Sequence, residues 1–122
     1  GYAPLPEDRR TEWHIPAGSE ATGVWYGDAL IGAFALADEG DALRLTQYAL
    51  APEWRGKGLG IPPMGQVIDA CLKKGRPALR ISCPDKALRP FFARLGFVPT
   101  VGEDMEKDVR RILPPVPAAY RP

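Results

Sequence analysis

Leu50-Ala51-Pro52-Glu53-Trp54-Arg55-Gly56-Lys57-Gly58-Leu59-Gly60 is a glycine-rich turn, and the residues on either side of it decide the fold. Before the turn, residues 42–50 alternate apolar and polar side chains, which predicts a β-strand. After it, residues 62–74 repeat apolar side chains at helical spacing, and Gly75 and Pro77 then end the predicted helix. The segment therefore predicts a strand, a tight turn and a helix in immediate succession.

The chemistry of this turn is that of an anion site. Gly56, Gly58 and Gly60 allow backbone conformations that other residues avoid, so the chain can approach a ligand closely. Successive amide N–H groups then converge on an anion, and the N-terminus of the following helix adds partial positive charge. Arg55 and Lys57 add full charges at the rim. The pattern predicts a site for a phosphate or a pyrophosphate.

Two common phosphate-binding motifs do not fit the turn. A P-loop requires a Gly-Lys-Ser/Thr ending, which the segment lacks. A dinucleotide-binding turn has a different glycine spacing and begins a βαβ unit, whereas a β-hairpin is predicted before this turn. A different kind of α/β domain is indicated.

The other elements predict a mixed α/β sheet. Further strands are expected at 21–26, 29–36, 78–83, 97–101 and 105–112, the last of which is also compatible with a helix, and a second helix is expected from Asp85 to Arg94. The strand before the turn and the strand at 78–83 should run parallel on either side of the first helix. We predict an irregular arm at 1–20, one domain at 21–112 and a proline-rich tail at 113–122.

Composition narrows the class of protein. The chain has 122 residues, 45% of them hydrophobic and 25% charged, which suits one globular domain. A net charge of +1 argues against a general nucleic-acid binder. Without a long apolar run or a signal peptide, no membrane association is expected and the protein is predicted to be cytoplasmic. Cys71, Cys83 and His14 have no metal-ligand spacing, so no metal site is expected, although a disulfide stays open.

Two segments in the correct order resemble the GNAT superfamily of N-acetyltransferases. Arg55, Gly58 and Gly60 fill that family's pattern of Arg or Gln, two residues, Gly, one residue, and Gly or Ala. Downstream, Phe91-Phe92-Ala93-Arg94-Leu95-Gly96-Phe97 is similar to the family's helix ending in Tyr-Glu-Lys-Leu-Gly-Phe. The resemblance covers about residues 21–109.

The resemblance implies a GNAT-like α/β fold, in which a central twisted mixed sheet with a splayed parallel strand pair is flanked by helices. It implies acetyl-CoA as co-substrate in the cleft between residues 42–50 and 78–83, and an amine, of a small molecule or a peptide, that attacks the thioester directly. Few residues precede the hairpin, so we expect an acceptor pocket that is either open, as for a protein or peptide substrate, or completed by a second subunit in a homodimer. The residues implied to bind the cofactor are Ala49, Leu50 and Ala51 for the pantetheine arm, Arg55, Gly56, Lys57, Gly58, Leu59, Gly60 and Ile61 for the pyrophosphate, and Phe92.

The chain departs from the family pattern at the groups that move protons. The family's frequent acid is a tyrosine, and Phe92 stands at that position, so Cys83, Tyr48 or water is the candidate donor. The strand at 42–50 also lacks the carboxylate that often serves as base. Candidate bases elsewhere are Glu39, Asp41, Asp85 and His14.

A second departure concerns the start of the helix. Pro62 and Pro63 suit a first helical turn, but each removes an N–H that would otherwise face a phosphate. The amides of Gly56 to Ile61 are therefore expected to provide most of the anion binding. Two alternatives to an active enzyme are a GNAT-like module that binds acyl-CoA or a protein partner without efficient turnover, and another kind of phosphate-binding α/β domain.

Overall fold

A mixed seven-stranded sheet runs through the computed structural model, which describes residues 1–111 of the chain. The strands lie in the order β1-β2-β3-β4-β5-β7-β6, and of these neighbours β4 and β5 run parallel while the others are antiparallel. The strands are β1 Tyr2–Pro4, β2 Glu20–Tyr26, β3 Ala29–Asp38, β4 Ala42–Leu50, β5 Ala78–Ser82, β6 Val98–Pro99 and β7 Asp104–Asp108, and the helices are α1 Pro62–Lys73 and α2 Arg89–Arg94. The predicted mixed α/β class is confirmed.

The parallel pair β4–β5 separates halfway along its length. Residues 42–45 of β4 pair with residues 78–81 of β5, and no pairing follows although β4 continues to Leu50. Helix α1 connects the two strands by a crossover and packs against both. A cleft therefore opens between the C-terminal ends of β4 and β5, which is the splayed strand pair that the family resemblance predicted.

A β-bulge at Thr46 bends β4 where the cleft begins. Ala35 of β3 pairs with Gln47 and Leu36 pairs with Leu45, so Thr46 has no partner on β3. A bulge increases local twist and re-aims the strand that carries it. The Thr46 hydroxyl donates to Ser19 Oγ at 2.8 Å, which attaches the end of the N-terminal segment to the bulge.

The core lies between α1 and one face of the sheet. Met64, Val67 and Cys71 recur at helical spacing and are buried, which is the reason that this stretch forms α1. Opposite them, Leu43 and Leu79 are adjacent across the parallel pair and are also buried. Burial of these apolar side chains stabilises the domain by about 25 cal/mol for each Å² of apolar surface removed from water.

Two elements differ from their predicted form. The first residues are more regular than expected, because Tyr2–Pro4 adds an edge strand to β2 and Gly1 N donates to Trp25 O at 2.7 Å. Helix α2 begins at Arg89 and not near Asp85, because the Asp85 carboxylate accepts the Ala87 N–H at 2.9 Å and forms a separate turn. Residues 104–108 form a strand, which agrees with the strand expected from 105 and excludes the helical alternative there. Ile112 and the tail at 113–122 lie outside the described residues.

An ion-pair network joins β4, β5 and β7 at the end of the sheet away from the cleft. Arg44 contacts Glu39 at 2.8 Å and Asp104 at 2.9 Å, and these hydrogen bonds lower the pKa of both carboxyls. Arg80 contacts Asp41 at 2.8 Å, which likewise lowers the pKa of that carboxyl. Because the pKa values are lower in the folded chain, the ionised network stabilises the fold at neutral pH and loses this contribution in acid.

We expect Arg44→Met to reduce the acid sensitivity of folding. The two carboxyls that Arg44 holds ionise near pH 4 when unfolded, so their contribution is complete above that pH and declines below it. Urea unfolding at pH 7, 4 and 3 should show a smaller loss of unfolding free energy on acidification in the variant than in the parent. Equal losses in the two proteins would contradict this role.

We expect Gly32→Ala to destabilise the protein by about 1–3 kcal/mol, the usual cost of overpacking. A Cβ at Gly32 would lie 2.8 Å from the Ala49 carbonyl oxygen and 2.9 Å from Leu50 Cδ2, so β3 and β4 would have to separate. Gly65→Ala is the matched control, since Gly65 lies inside α1 with nothing within 4 Å of the added atom. The control should raise stability, because alanine favours a helix interior over glycine. Equal effects in urea unfolding would contradict the close approach.

Candidate active site

The larger of two neighbouring cavities has a volume of about 370 Å³ and lies between the C-terminal end of β4, the glycine-rich turn and the two helices. It brings together most of the residues predicted to bind the cofactor: Ala49, Leu50, Arg55, Gly56, Gly58, Leu59, Gly60 and Ile61. The lining also includes Tyr48, which was predicted as a candidate donor, and a mainly apolar set: Val24, Ala33, Phe34, Pro63, Leu88 and Phe91. Ala51 and Lys57 are not in its lining.

The backbone of the turn presents a row of free donors. Gly56 and Gly58 have φ values of +76° and +75°, the left-handed region that glycine enters without steric cost. Within the described part of the chain, no amide from Gly56 to Ile61 donates a hydrogen bond of good geometry to a protein acceptor. Consecutive free amides beside a cavity are the feature expected of a concave anion site.

The start of α1 adds little to these donors. Pro62 and Pro63 lack an N–H, and the Met64 N–H is already bonded to the Ile61 carbonyl at 3.0 Å. The helix therefore contributes its partial positive charge at this end but not the N–H groups of its first turn. The turn itself must supply the hydrogen bonds to any bound anion.

The two cations of the turn have different positions. Arg55 Nε donates to the Leu50 carbonyl at 3.0 Å, so the guanidinium links the turn to the end of β4. Lys57 Nζ instead lies 5.3 Å from the centre of the Trp54 ring, a cation–π arrangement on the exposed rim. Trp54 also packs against Tyr26, with ring centres 5.3 Å apart and ring planes tilted by 42°.

Tyr48 supports the turn from β4. Its hydroxyl donates to the Gly60 carbonyl, and the side chain is largely buried between the larger cavity and its neighbour. Burial raises the pKa of this hydroxyl well above its ordinary value, so it is protonated and acts as a hydrogen-bond donor at neutral pH. The tyrosine predicted as a candidate acid thus has its proton directed at the backbone of the turn.

The main chain of β4 faces the cleft at alternate residues. The Ala51 N–H donates to the Ile31 carbonyl at 2.8 Å, so Ala51 and, two residues earlier, Ala49 direct their backbone groups toward β3. Leu50 and Tyr48 accordingly face the open side, from which β5 has separated. The Tyr48 N–H is covered by the side chain of Gln47, whose Oε1 accepts it at 2.9 Å.

The smaller cavity has a volume of about 230 Å³ and lies between the splayed ends of β4 and β5. It brings together Cys83, Phe92 and Asp85, and it shares Tyr48 and Leu88 with the larger cavity. The Cys83 side chain is buried, and its sulfur lies 3.5 Å from the Asp85 carbonyl oxygen. The Phe92 ring packs edge-on against the rings of Phe91 and Phe97, whose centres lie 5.2 Å and 5.7 Å away.

The candidate bases are widely separated. Glu39 and Asp41 precede the first residue of β4 and are held by Arg44 and Arg80, whereas the cleft is at the other end of that strand. His14 is exposed in the N-terminal segment, with a φ of +54°. Asp85 is therefore the one of the four that lines either described cavity.

The segment around Trp13 approaches the cleft through Gln47, a contact that sequence reasoning missed. Gln47 Nε2 donates to the Trp13 carbonyl at 2.9 Å, a contact between residues 34 positions apart. No local pattern signals such a pairing, because it depends on the bulge that aims Gln47. The N-terminal segment thus forms a wall near the end of the cleft.

Three further features bear on the chemistry. Cys71 and Cys83 are both free thiols, so they form no disulfide with each other. In residues 1–111, no group of three or more His, Cys, Asp or Glu side chains is placed to hold a metal ion. None of the helices in that part of the chain has the length and apolarity needed to cross a bilayer.

Comparison with known proteins identifies the same fold. A family model described as an acetyltransferase (GNAT) domain matches residues 7–114. No curated protein matches the chain in sequence. Among solved structures, the ribosomal-protein-S18-alanine N-acetyltransferase from Escherichia coli is similar, with a TM-score of 0.71 and 17% identity over 89% of this chain and 93% of that one.

Two more solved structures show the same likeness. A GNAT family acetyltransferase from Elizabethkingia anophelis with acetyl-CoA bound has a TM-score of 0.69 and 13% identity, over 88% of this chain and 97% of that one. A mutant of the AtaT toxin, bound to the C-terminus of the antitoxin AtaR, has a TM-score of 0.75 and 15% identity, over 90% of this chain and 93% of that one. The TM-scores show that the chain shares its fold with these proteins, and at such low identities the likeness shows the fold alone.

We expect Gly58→Ala to weaken acetyl-CoA binding about tenfold, because an L-residue in the left-handed region costs roughly 1–2 kcal/mol. Gly58 has a φ of +75° and open space around it, so strain and not crowding would be responsible. Gly60→Ala is the matched control: its φ is not in that region, and a Cβ would meet Phe91 only at 3.9 Å. Isothermal titration should show near-parental affinity for the control. Equal losses in both variants would contradict the assignment.

Proposed function

Because the chain belongs to the GNAT family of acetyltransferases, we propose that it transfers an acetyl group from acetyl-CoA to the amine of an acceptor by direct attack in a ternary complex. The family model matches residues 7–114, which is most of the chain. No observation favours the alternative of a module that binds acyl-CoA or a protein partner without turnover. The match to an acetyltransferase family also argues against an unrelated phosphate-binding domain.

The row of free amides from Gly56 to Ile61 is the observation that carries this proposal. A pyrophosphate in the turn would accept hydrogen bonds from these groups, and a charged acceptor strengthens each bond. Arg55 would add its guanidinium, with Lys57 on the exposed rim. The two prolines make this binding more dependent on the turn than on the helix.

From the turn, the pantetheine arm would pass along the open side of β4. Leu50 and Tyr48 face this side. Because the Leu50 carbonyl and the Tyr48 N–H are bonded to Arg55 and Gln47, the Leu50 N–H and the Tyr48 carbonyl would be the groups that pair with the arm, and Ala49 would contribute side-chain contact. The apolar lining of the larger cavity, including Phe34 and Phe91, suits the methylene and gem-dimethyl groups of the arm. Phe92 would contact the cofactor from the smaller cavity.

The thioester would then lie near Tyr48 and Leu88, where the two cavities meet. The amine nitrogen attacks the carbonyl carbon, the C–N bond forms, and the C–S bond breaks as the electron pair leaves on sulfur. The amine loses a proton and the thiolate gains one. Cys83 and Tyr48, which both line the smaller cavity, are the proposed side-chain donors of that proton, and water is the third candidate. Tyr48 would first have to release its hydrogen bond to the Gly60 carbonyl.

The acceptor in this proposal is a small-molecule or peptide amine. The smaller cavity opens between β4 and β5, and neither of the two cavities carries a run of basic side chains that would suit a nucleic acid. A second copy of the chain would complete the acceptor wall if the short N-terminal segment leaves it open. Location in the cytoplasm stays a prediction from the sequence.

Isothermal titration with acetyl-CoA, alongside ADP, tests the proposed cofactor. We expect a dissociation constant of about 1–100 µM for acetyl-CoA, in the range of ordinary enzyme substrates, and much weaker binding of ADP, which lacks the pantetheine arm. A panel of peptides, polyamines and small amines should then include at least one that accelerates thiol release from acetyl-CoA. The absence of binding by either nucleotide would contradict the proposal.

A further inference from the structure

Tyr26, Trp54 and Lys57 form an aromatic and basic platform on the exposed rim of the glycine-rich turn. Trp54 immediately precedes Arg55, and its ring packs against Tyr26 at the end of β2, with ring centres 5.3 Å apart. Lys57 Nζ lies 5.3 Å from the centre of the same Trp54 ring. Tyr26 is 68% exposed, and none of the three side chains lines either of the two cavities beside the turn. The platform is therefore separate from the space assigned to the pantetheine arm.

The proposed position of the pyrophosphate determines where the rest of CoA must lie. The free amides from Gly56 to Ile61 would hold the pyrophosphate, and the arm would leave it along β4. The adenosine is attached to the opposite side of the pyrophosphate, so it would extend away from the cavity and onto the rim of the turn. A purine left in water there would keep both aromatic faces exposed, and an aromatic side chain beside the turn would cover one of them.

Two aromatic rings near the turn differ in how available they are to a base. Phe91 is at the Gly60 end of the turn, where it lines the larger cavity and packs edge-on against Phe92. Trp54 is half-buried on the rim, and a flexible lysine ammonium lies over its ring. An exposed cation–π contact is weaker than a charge-assisted hydrogen bond to a phosphate. A phosphate bound at the turn would therefore draw Lys57 away and leave the Trp54 ring open.

From these contacts we propose that the adenine of CoA stacks on the Trp54 ring, in the place of the Lys57 ammonium, which moves to a phosphate of the ligand. This inference deepens the proposed function and rests on it, because it takes the position of the pyrophosphate from the turn. Tyr26 supports the Trp54 ring from the hairpin, so the ring is positioned before the ligand arrives. Trp54 thus selects a ligand that carries a base over one that ends at a phosphate.

Isothermal titration of the full chain with CoA and with 4′-phosphopantetheine tests this stack. The shorter ligand keeps the arm and one phosphate for the turn, but it lacks the adenosine. Trp54→Leu should weaken CoA binding about tenfold, the usual scale for a base stacked on an aromatic side chain, and leave the affinity for 4′-phosphopantetheine unchanged. Trp54→Phe keeps an aromatic ring and should retain most of the affinity for CoA.

Trp25→Phe is the matched control. Its indole belongs to the same hairpin but lies over Gly23 of β2, with Nε1 2.8 Å from the position of an added Cβ, and lines neither cavity. This variant should bind both ligands as the parent does. As a second readout, the fluorescence of Trp54, taken as the difference between the parent and Trp54→Phe, should fall when CoA binds, because a stacked base quenches the indole. 4′-Phosphopantetheine should leave this fluorescence unchanged.

Three results would overturn the inference. One is an unchanged CoA affinity in Trp54→Leu. Another is an equal loss of affinity for both ligands in that variant, which would show that Trp54 acts only by packing against the turn. The third is equal affinity of the parent protein for CoA and 4′-phosphopantetheine. Failure of both ligands to bind the parent protein is a different result, because it would overturn the proposed function itself.

Discussion

The end of parallel pairing between β4 and β5 is the constraint on which the rest of the site depends. Once pairing stops at Leu45 and Ile81, the later backbone groups of β4 lose their sheet partners. Buried backbone groups without partners are costly, so each must bond a side chain, water or a ligand. The Tyr48 N–H donates to the Gln47 side chain, and the Arg55 side chain donates to the Leu50 carbonyl. The remaining groups face a cavity large enough for an extended ligand arm.

The glycine-rich turn forms the second part of the candidate site, next to the splayed ends of β4 and β5. Its left-handed glycines direct successive amides outward, while two prolines remove the N–H groups that a helix start normally offers. The proposed anion binding therefore falls to six consecutive residues, 56–61, whose N–H groups have no competing protein acceptors among the described residues. Tyr48 supports this segment from the strand through the Gly60 carbonyl. Turn and strand are thus held as one unit at the mouth of the cleft.

Much of this fold could be predicted from local sequence. The alternation in β4, the glycine spacing and the apolar repeat of α1 are each encoded within a few residues, and the family resemblance supplied their order. The bulge at Thr46 could not be predicted, because it follows from how β3 and β4 align over their whole length. The edge strand β1 was missed for the same reason: three exposed residues carry no periodic signal, and pairing with β2 alone makes them a strand.

The site was predictable where backbone chemistry decides it and less so where side chains meet across the fold. The glycine spacing by itself indicates a turn with unusual backbone conformations, so the turn could be predicted. Glu39 and Asp41 were considered as bases because sequence does not show that Arg44 and Arg80 hold them at the far end of the sheet. Asp85 looked like a helix cap, and only the delayed start of α2 leaves it on a turn beside the cleft.

The most direct test of the central claim is an amide spectrum of the ¹⁵N-labelled protein during titration with acetyl-CoA. If the turn holds the pyrophosphate, the signals of residues 56–61 should show the largest shifts, and ADP should move the same signals while pantetheine leaves them in place. The shifts should saturate with the dissociation constant found by calorimetry. Binding of acetyl-CoA with those six signals unmoved would contradict the account, because the anion would then be held elsewhere.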